Sequence, residues 1–260
     1  MNYSFIFKTD ALVLCIFLFI GMILMIIMGR FACRMWNKDE SEPKGGVSSL
    51  FGGLFALSGL ILAFTFGMSG NRLEKVRGVV EQEANSIGTA VLRADLYADS
   101  VRSGFRNDFK DYLEAIIAFY NNAASVDMLL KAKEDASKSA QRLWTRAAQQ
   151  SKLPNMLIPS NQMIPSLNSM FDVAQSREII LRSRVPDLII YMLFIAVLAT
   201  CFIGGFTSGP FHPKEWIIVA GFILVTSLVV YTTLDLSRPL RGMIKDDAGK
   251  NAIIELRKMF

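Results

Sequence analysis

The chain has 260 residues, a formal net charge of +5, 52% hydrophobic residues and 19 phenylalanines. That is too apolar for an ordinary soluble domain and places it in the membrane class. With only three cysteines and one histidine, nothing points to a disulfide framework or a His-based metal or catalytic centre. The basic excess clusters beside apolar segments, which favours phospholipid headgroups over nucleic acid as its partner.

In residues 1–10 the only charged side chains are Lys8 and Asp10. The uncharged stretch 11–29 that follows is long enough to cross a bilayer core, which takes about 20 helical residues. It exceeds the roughly 7–15 apolar residues of a cleavable signal, and no A-x-A site follows it. Residues 30–46 read as a polar connection in which Arg30, Arg34 and Lys38 prolong the helix briefly before Pro43, Gly45 and Gly46 break it.

A second uncharged span covers 47–70. Gly52, Gly53, Ala56, Gly59, Ala63 and Gly67, with Ser49 and Gly70, recur mostly three or four residues apart and draw one narrow edge of small side chains. Lipid supplies no hydrophobic drive between helices, so such an edge is where a second backbone approaches and gains van der Waals contact. Along its flank run Phe51, Phe55, Ser58, Leu62, Phe66 and Ser69. They serve either as lipid or helix contacts or as the apolar constriction of a pore, and spacing alone does not choose.

No proline follows, so the helix has no reason to stop at the membrane surface. Leu73, Val76, Val80, Ala84, Ile87 and Val91 make a second apolar stripe, with Arg72, Lys75, Arg77, Glu81 and Glu83 mostly off it. Residues 71–185 have soluble composition and read as helical. Asp99 or Ser100 caps a segment carrying Phe105, Phe109, Tyr112, Leu113, Ile116 and Tyr120 on one side. Asn121, Asn122 and Ser125 mark a turn, and helical spacing resumes from Met128 to Ala147. Pro154, Pro159 and Pro165 punctuate a loop, after which a helix begins near Ser166 and ends in Arg177, Arg182 and Arg184. Apolar spans 188–206 and 216–234 form a membrane hairpin around a turn that holds His212, and 235–260 is a basic tail.

Four crossings put both termini and the 71–185 region on one side. Near membrane ends that side carries Lys8, Arg72, Lys75, Arg77, Arg177, Arg182, Arg184, Arg238, Arg241 and Lys245. The other carries Arg30, Arg34, Lys38, Lys44 and Lys214. Counting basic residues makes the first side cytoplasmic, although the first helix taken alone argues the reverse.

Catalytic signatures are absent: no GxSxG, P-loop, HExxH or Cys/His cluster occurs, so no enzyme activity, metal or cofactor is expected. Two polar groups stand out. Glu81, Glu83, Asn85 and Arg93 sit on the shoulders of the second stripe as a candidate buried network. A carboxylate buried there needs a partner, which Arg177, Arg182 or Arg184 can supply as a helix-to-helix salt bridge. Arg72, Lys75, Arg77, Arg238 and Arg241 lie just outside the membrane, as headgroup anchors in preference to a vestibule that concentrates anions.

The stretch FTFGMSGNRLEKVRGVVEQEANSIGTAVLRADL, QRLW around Trp144, SLNSMFDVAQSR at 166–177, VPDLII, and YTTLDLSRPLRGMI near the end resemble the bestrophin-like domain family over residues 45–245. That group consists mostly of bacterial membrane proteins. The resemblance implies kinship with bestrophins, pentameric channels whose second membrane helix lines a pore narrowed by apolar side chains and extends into a cytosolic helical domain. It implies a neck among Phe55, Leu62 and Phe66. Arg30 and Phe31 are followed by Ala32 rather than the proline of the eukaryotic channels, and no acidic calcium clasp is present, so calcium gating is not implied.

The expectation is an all-α membrane protein with four transmembrane helices and a cytosolic helical bundle inserted between the second and third. The segments are a helix pair in 1–70, the bundle in 71–185, a hairpin in 186–234 and a tail in 235–260. The expected function is an oligomeric ion channel of the bacterial inner membrane, a pentamer by analogy, whose partners are the lipid bilayer and inorganic ions. A membrane-anchored sensor or scaffold that docks a cytosolic partner is the alternative.

Overall fold

The computed structural model describes residues 9–36, 45–122, 125–183, 185–207, 213–238, 240, 242 and 247–260. Lys8, Lys38, Lys44, Arg184, His212, Arg241 and Lys245 lie outside them. The described elements are all helical: α1 (Ala11–Trp36), α2 (Gly45–Arg93), α3 (Asp99–Asn121), α4 (Val126–Gln150), α5 (Leu157–Arg182), α6 (Asp187–Thr207), α7 (Pro213–Leu236) and α8 (Asp247–Glu255). Short 3₁₀ turns occupy Ala94–Leu96, Pro154–Met156 and Leu256–Met259. Four helical stretches are long and apolar enough to cross a membrane, in α1, in α2, ending in α6, and in α7. Lacking an internal proline, α2 runs unbroken through Gly70 and Gly78 over 49 residues.

The chain divides into two compact units, residues 1–72 with 184–238 and residues 73–183 with 239–260. In the first, Leu14, Leu18, Met22 and Ile26 place one apolar stripe of α1 against Ile190, Leu193, Val197 and Cys201 of α6 and Ile223, Val230 and Leu234 of α7. Small residues set how close α1 and α6 come. A methyl on Gly205 would collide with the carbonyl oxygen of Ile26, and one on Gly29 with that of Phe202. Within the described chain, close backbone contact is made by α1 and α6, and the small-residue edge of α2 expected to meet a second backbone touches no described residue at Gly52, Gly53, Gly59 or Gly67. A hydroxyl pair, Ser58 Oγ and Thr200 Oγ1 at 2.7 Å, joins α2 to α6. Each hydroxyl also lies near the Ala196 carbonyl, so neither is left unpaired in an apolar setting.

The second unit buries Val76, Val80, Ile87 and Val91 of α2 with Phe105, Phe109, Leu113 and Ile116 of α3, Leu143 of α4, Met163, Leu167 and Met170 of α5, and Ile253 of α8. Asp108 of α3, almost fully buried, accepts hydrogen bonds from Arg142 Nε at 3.0 Å and Arg146 Nε at 2.8 Å of α4. The last residues, read from sequence as the end of a basic tail, fold into this unit. Ile253 is fully buried, Arg257 donates two hydrogen bonds to Glu114 at 2.7 and 2.5 Å, and Arg106 Nη1 donates to the Met259 carbonyl at 2.7 Å.

Two local expectations fail. The residue that caps α3 is Ala98, which makes no side-chain bond, while Asp99 lies in the first turn and accepts from Arg102. Helix α5 begins at Leu157 rather than near Ser166 and runs through both Pro159 and Pro165. Pro159 falls in the first turn, where backbone N–H groups have no partner to lose. Pro165 is internal, a position that costs about 3 kcal/mol, and burial of Met163, Leu167 and Met170 around it offsets that cost.

Gly205→Ala is therefore expected to destabilise the first unit by about 1–3 kcal/mol, toward the upper end because the obstruction is backbone. A thermal midpoint in detergent equal to that of the parent would contradict the close approach. A pH effect follows from the C-terminal contact. The hydrogen bond from Arg257, then its charge, hold the Glu114 carboxyl below its ordinary value of 4.5. Because the folded value is the lower one, the contact stabilises fully above that ordinary value and is lost as pH falls through the lowered one. Hydrogen exchange of residues 253–260, corrected for intrinsic rates, should accelerate on acidification through this window, and less so in Glu114→Gln.

Candidate permeation helix and its buried ion pair

In the first unit α2 turns one side to its own chain. Ser58, Thr65 and Ser69, spaced by seven and four residues, are buried there, and Leu62 is half-buried against the α1, α6 and α7 cluster. The opposite side is open. Methyl groups built on Gly52, Gly53, Gly59 and Gly67 meet nothing within 4 Å, and Ala56 and Ala63 are exposed. The three neck candidates separate accordingly. Leu62 faces the chain's own core, whereas Phe55, its ring 5.5 Å from that of Phe222 on α7, is 48% exposed and Phe66 is 42% exposed. The flank is split by phase: at about 100° per residue, Leu62 falls within about 40° of Ser58, and Phe66 about twice as far round.

In the second unit the buried side of α2 carries Leu73, Val76, Val80, Glu83 and Ile87. Of the four polar residues read as a buried network, Glu83 alone is inside. Glu81 and Asn85 are exposed and Arg93 is half-buried. Glu83 lies seven residues after Val76 and four before Ile87, in phase with the stripe. Its neighbours two positions away project about 200° around the helix.

Glu83 is satisfied on both oxygens. Oε1 accepts from Arg177 Nη1 of α5 at 2.6 Å, and Oε2 from the Tyr120 hydroxyl of α3 at 3.2 Å. The guanidinium lies 4.7 Å from the Phe119 ring centroid, so its charge meets a carboxylate on one side and an aromatic face on another. Burial pushes the Glu83 carboxyl above the ordinary carboxylate range, opposed by the Arg177 charge and by both hydrogen bonds. Burial, and then the Glu83 charge, push the Tyr112 and Tyr120 hydroxyls up, which keeps both protonated and Tyr120 a donor to Glu83. Burial disfavours the Arg177 cation, but Glu83 and the two tyrosines more than reverse this and hold it charged. Tyr120 as a partner of Glu83 was not legible in the sequence, where it reads as one more member of an aromatic face.

The basic residues are dispersed. Arg72 Nη1 donates to the Ser237 carbonyl in the first unit, and Arg77 pairs with Glu74 at 2.9 Å on the surface of the second. Lys75 is exposed, Arg238 is half-buried, and Arg182 pairs with Glu178. Among the described residues no three His, Cys, Asp or Glu side chains gather as a metal site.

A long uninterrupted second membrane helix, flanked by three other apolar helices and a helical unit, is a specific arrangement, and residues 15–245 match the model of the bestrophin-like domain family. The chain belongs to that family. Among solved structures, a bacterial bestrophin homologue from Klebsiella pneumoniae, phased on zinc, matches with TM-score 0.66 at 16% identity, over 94% of this chain and 98% of that one. Two point variants of the homologue match with TM-scores 0.68 and 0.67 at 16% identity, over 94% and 96% of this chain and 97% and 96% of theirs. At such identity the likeness is one of fold. No curated protein matches the chain. This bestrophin-like chain is an integral membrane protein.

Removing one partner of a buried pair leaves an uncompensated charge, so Arg177→Met is expected to cost about 3–5 kcal/mol. Adding Glu83→Leu should recover most of that loss, and Tyr120→Phe alone should cost about 1 kcal/mol. Thermal unfolding of the four proteins in detergent checks the series. A double variant no more stable than Arg177→Met would mean that the two charges do not compensate one another.

Proposed function

We propose that this bestrophin-like protein is an oligomeric ion channel of the bacterial inner membrane, with α2 of each copy lining a shared conduit. The observation that carries this is the open glycine edge of α2. Each glycine inside a helix costs about 0.5–1 kcal/mol relative to alanine, and no described residue uses the space gained at Gly52, Gly53, Gly59 or Gly67. A neighbouring copy approaching along that edge accounts for the glycines, because small residues are how membrane helices gain contact. The family's kinship with bestrophins supports the same arrangement, with a pentamer as the expected assembly.

Permeation is passive, through an apolar neck that wets and dewets. Phe55 and Phe66, both exposed, are the neck residues, whereas Leu62 is taken up by the chain's own core. Residues 71–185 form a cytosolic helical region, with both termini cytoplasmic by the distribution of Lys and Arg. Of the basic set just outside the membrane, Arg72, Lys75, Arg77, Arg238 and Arg241, the exposed Lys75 and Arg77 raise the local concentration of anions, and all five anchor lipid headgroups.

Reconstitution in liposomes should give ion flux that Phe66→Ala changes several-fold while Leu62→Ala lowers thermal stability instead. Gly59→Leu should leave the chain folded, since its side chain meets open space, yet abolish assembly and flux. Absence of flux for every ion and voltage applied, or a strictly monomeric particle, would overturn the channel.

A further inference from the structure

An open groove of about 400 Å³ lies between α2 and α5 in the second unit, lined by polar residues whose carbon atoms contribute more than half of its surface. Asn85, Thr89 and Arg93 form one wall and Asn161, Gln162 and Ser169 the other. Among the described residues no carboxylate lines it. The half-buried Arg93 makes no ion pair or hydrogen bond to any described residue, while the other buried or half-buried arginines of this unit each have an acceptor. The C-terminal end of α2 supplies about half a negative charge to Arg93, and the rest of the cation is unbalanced.

The backbone of the same wall adds an acceptor. Pro165, which also lines the groove, has no N–H, so the carbonyl of Asn161 loses the helical donor it would otherwise receive from position 165. Two lining hydroxyls are turned back on their own helices, Ser86 to the Glu83 carbonyl and Ser166 to the Gln162 carbonyl, and present lone pairs outward. What remains is one cation, several carboxamides that both donate and accept, and hydroxyl and carbonyl acceptors. The volume suits a small molecule.

We propose that this groove binds a small hydroxylated monocarboxylate, its carboxylate bidentate on Arg93 and its hydroxyls on the carboxamides and the Asn161 carbonyl. A single carboxylate matches the guanidinium in fork geometry, and with the helix end already offsetting part of the charge no more than one negative group is accommodated. A phosphate dianion would leave a charge unmatched, and an apolar acid would make no use of the lining carboxamides and hydroxyls. The site is independent of the channel reading, because occupancy is measured without flux.

The test is calorimetric titration of the full chain in lipid nanodiscs with sodium gluconate, and with glucose as a neutral analogue of similar hydroxyl content. Gluconate should bind saturably and glucose at least about tenfold more weakly, the value of one charge-assisted contact. Arg93→Gln should weaken gluconate by a similar factor with an unchanged thermal midpoint and particle mass, and Ser169→Leu, which fills the exposed end of one wall, should weaken it without touching the charge. No saturable gluconate binding, equal binding of glucose, or equal binding by Arg93→Gln overturns the proposal. So does loss of assembly in Arg93→Gln, which would assign this arginine to a contact between copies.

Discussion

A helix that passes from an apolar span into a packed helical unit has to change the chemistry of its buried side without changing its phase. In α2 the buried positions follow one another along a single side: Ser58, Thr65 and Ser69, then Val76, Val80, Glu83 and Ile87. Among apolar helices the specific contacts on that side are polar and short, as between Ser58 and Thr200. Where water is the alternative, area burial by Val76, Val80 and Ile87 supplies the drive. Polar contacts carry information in the first setting because they are scarce, and hydrophobic area carries energy in the second because water is displaced.

Glu83 is the exception on that side. Its pairing with Arg177 is expensive to bury and adds little net stability over an apolar pair of the same shape. Its effect is discrimination: any register of α2 against α5 that separates the two leaves a charge stranded in a core of Phe119, Tyr120 and Tyr112. The surface pairs, such as Arg77 with Glu74, carry no such penalty and set no register. Arg93, on the same helix, contrasts with both: it has no ion-pair partner among the described residues and lies beside a wall whose described side chains are neutral.

The likeness to bacterial bestrophin homologues survives at 16% identity because it rests on lengths and phases more than on residue identities. A proline-free helix of this length, a membrane hairpin and two close-packed helices can each be encoded by many apolar residues. On the open side of α2 the described residues impose no limit of size, since a methyl on Gly52, Gly53, Gly59 or Gly67 meets nothing within 4 Å.

The element types and the continuity of α2 could be read from the chain itself, since hydropathy length, helical period and absence of proline are local properties. So could the need of any carboxylate buried beside the second stripe to find a partner, because an unpaired buried charge is costly wherever it occurs. Which cation, and the help of Tyr120, depended on the crossing of α2, α3 and α5, as did the exclusion of Glu81 and Asn85. The start of α5 was misread because proline is a strong local signal, and only the buried side chains around Pro165 outweigh it. Likewise the glycines that matter inside the chain proved to be Gly29 and Gly205, whose role exists only where two backbones meet. Local rules assign helices; the choice of partner for each face belongs to packing, where residues far apart in the chain compete for the same space.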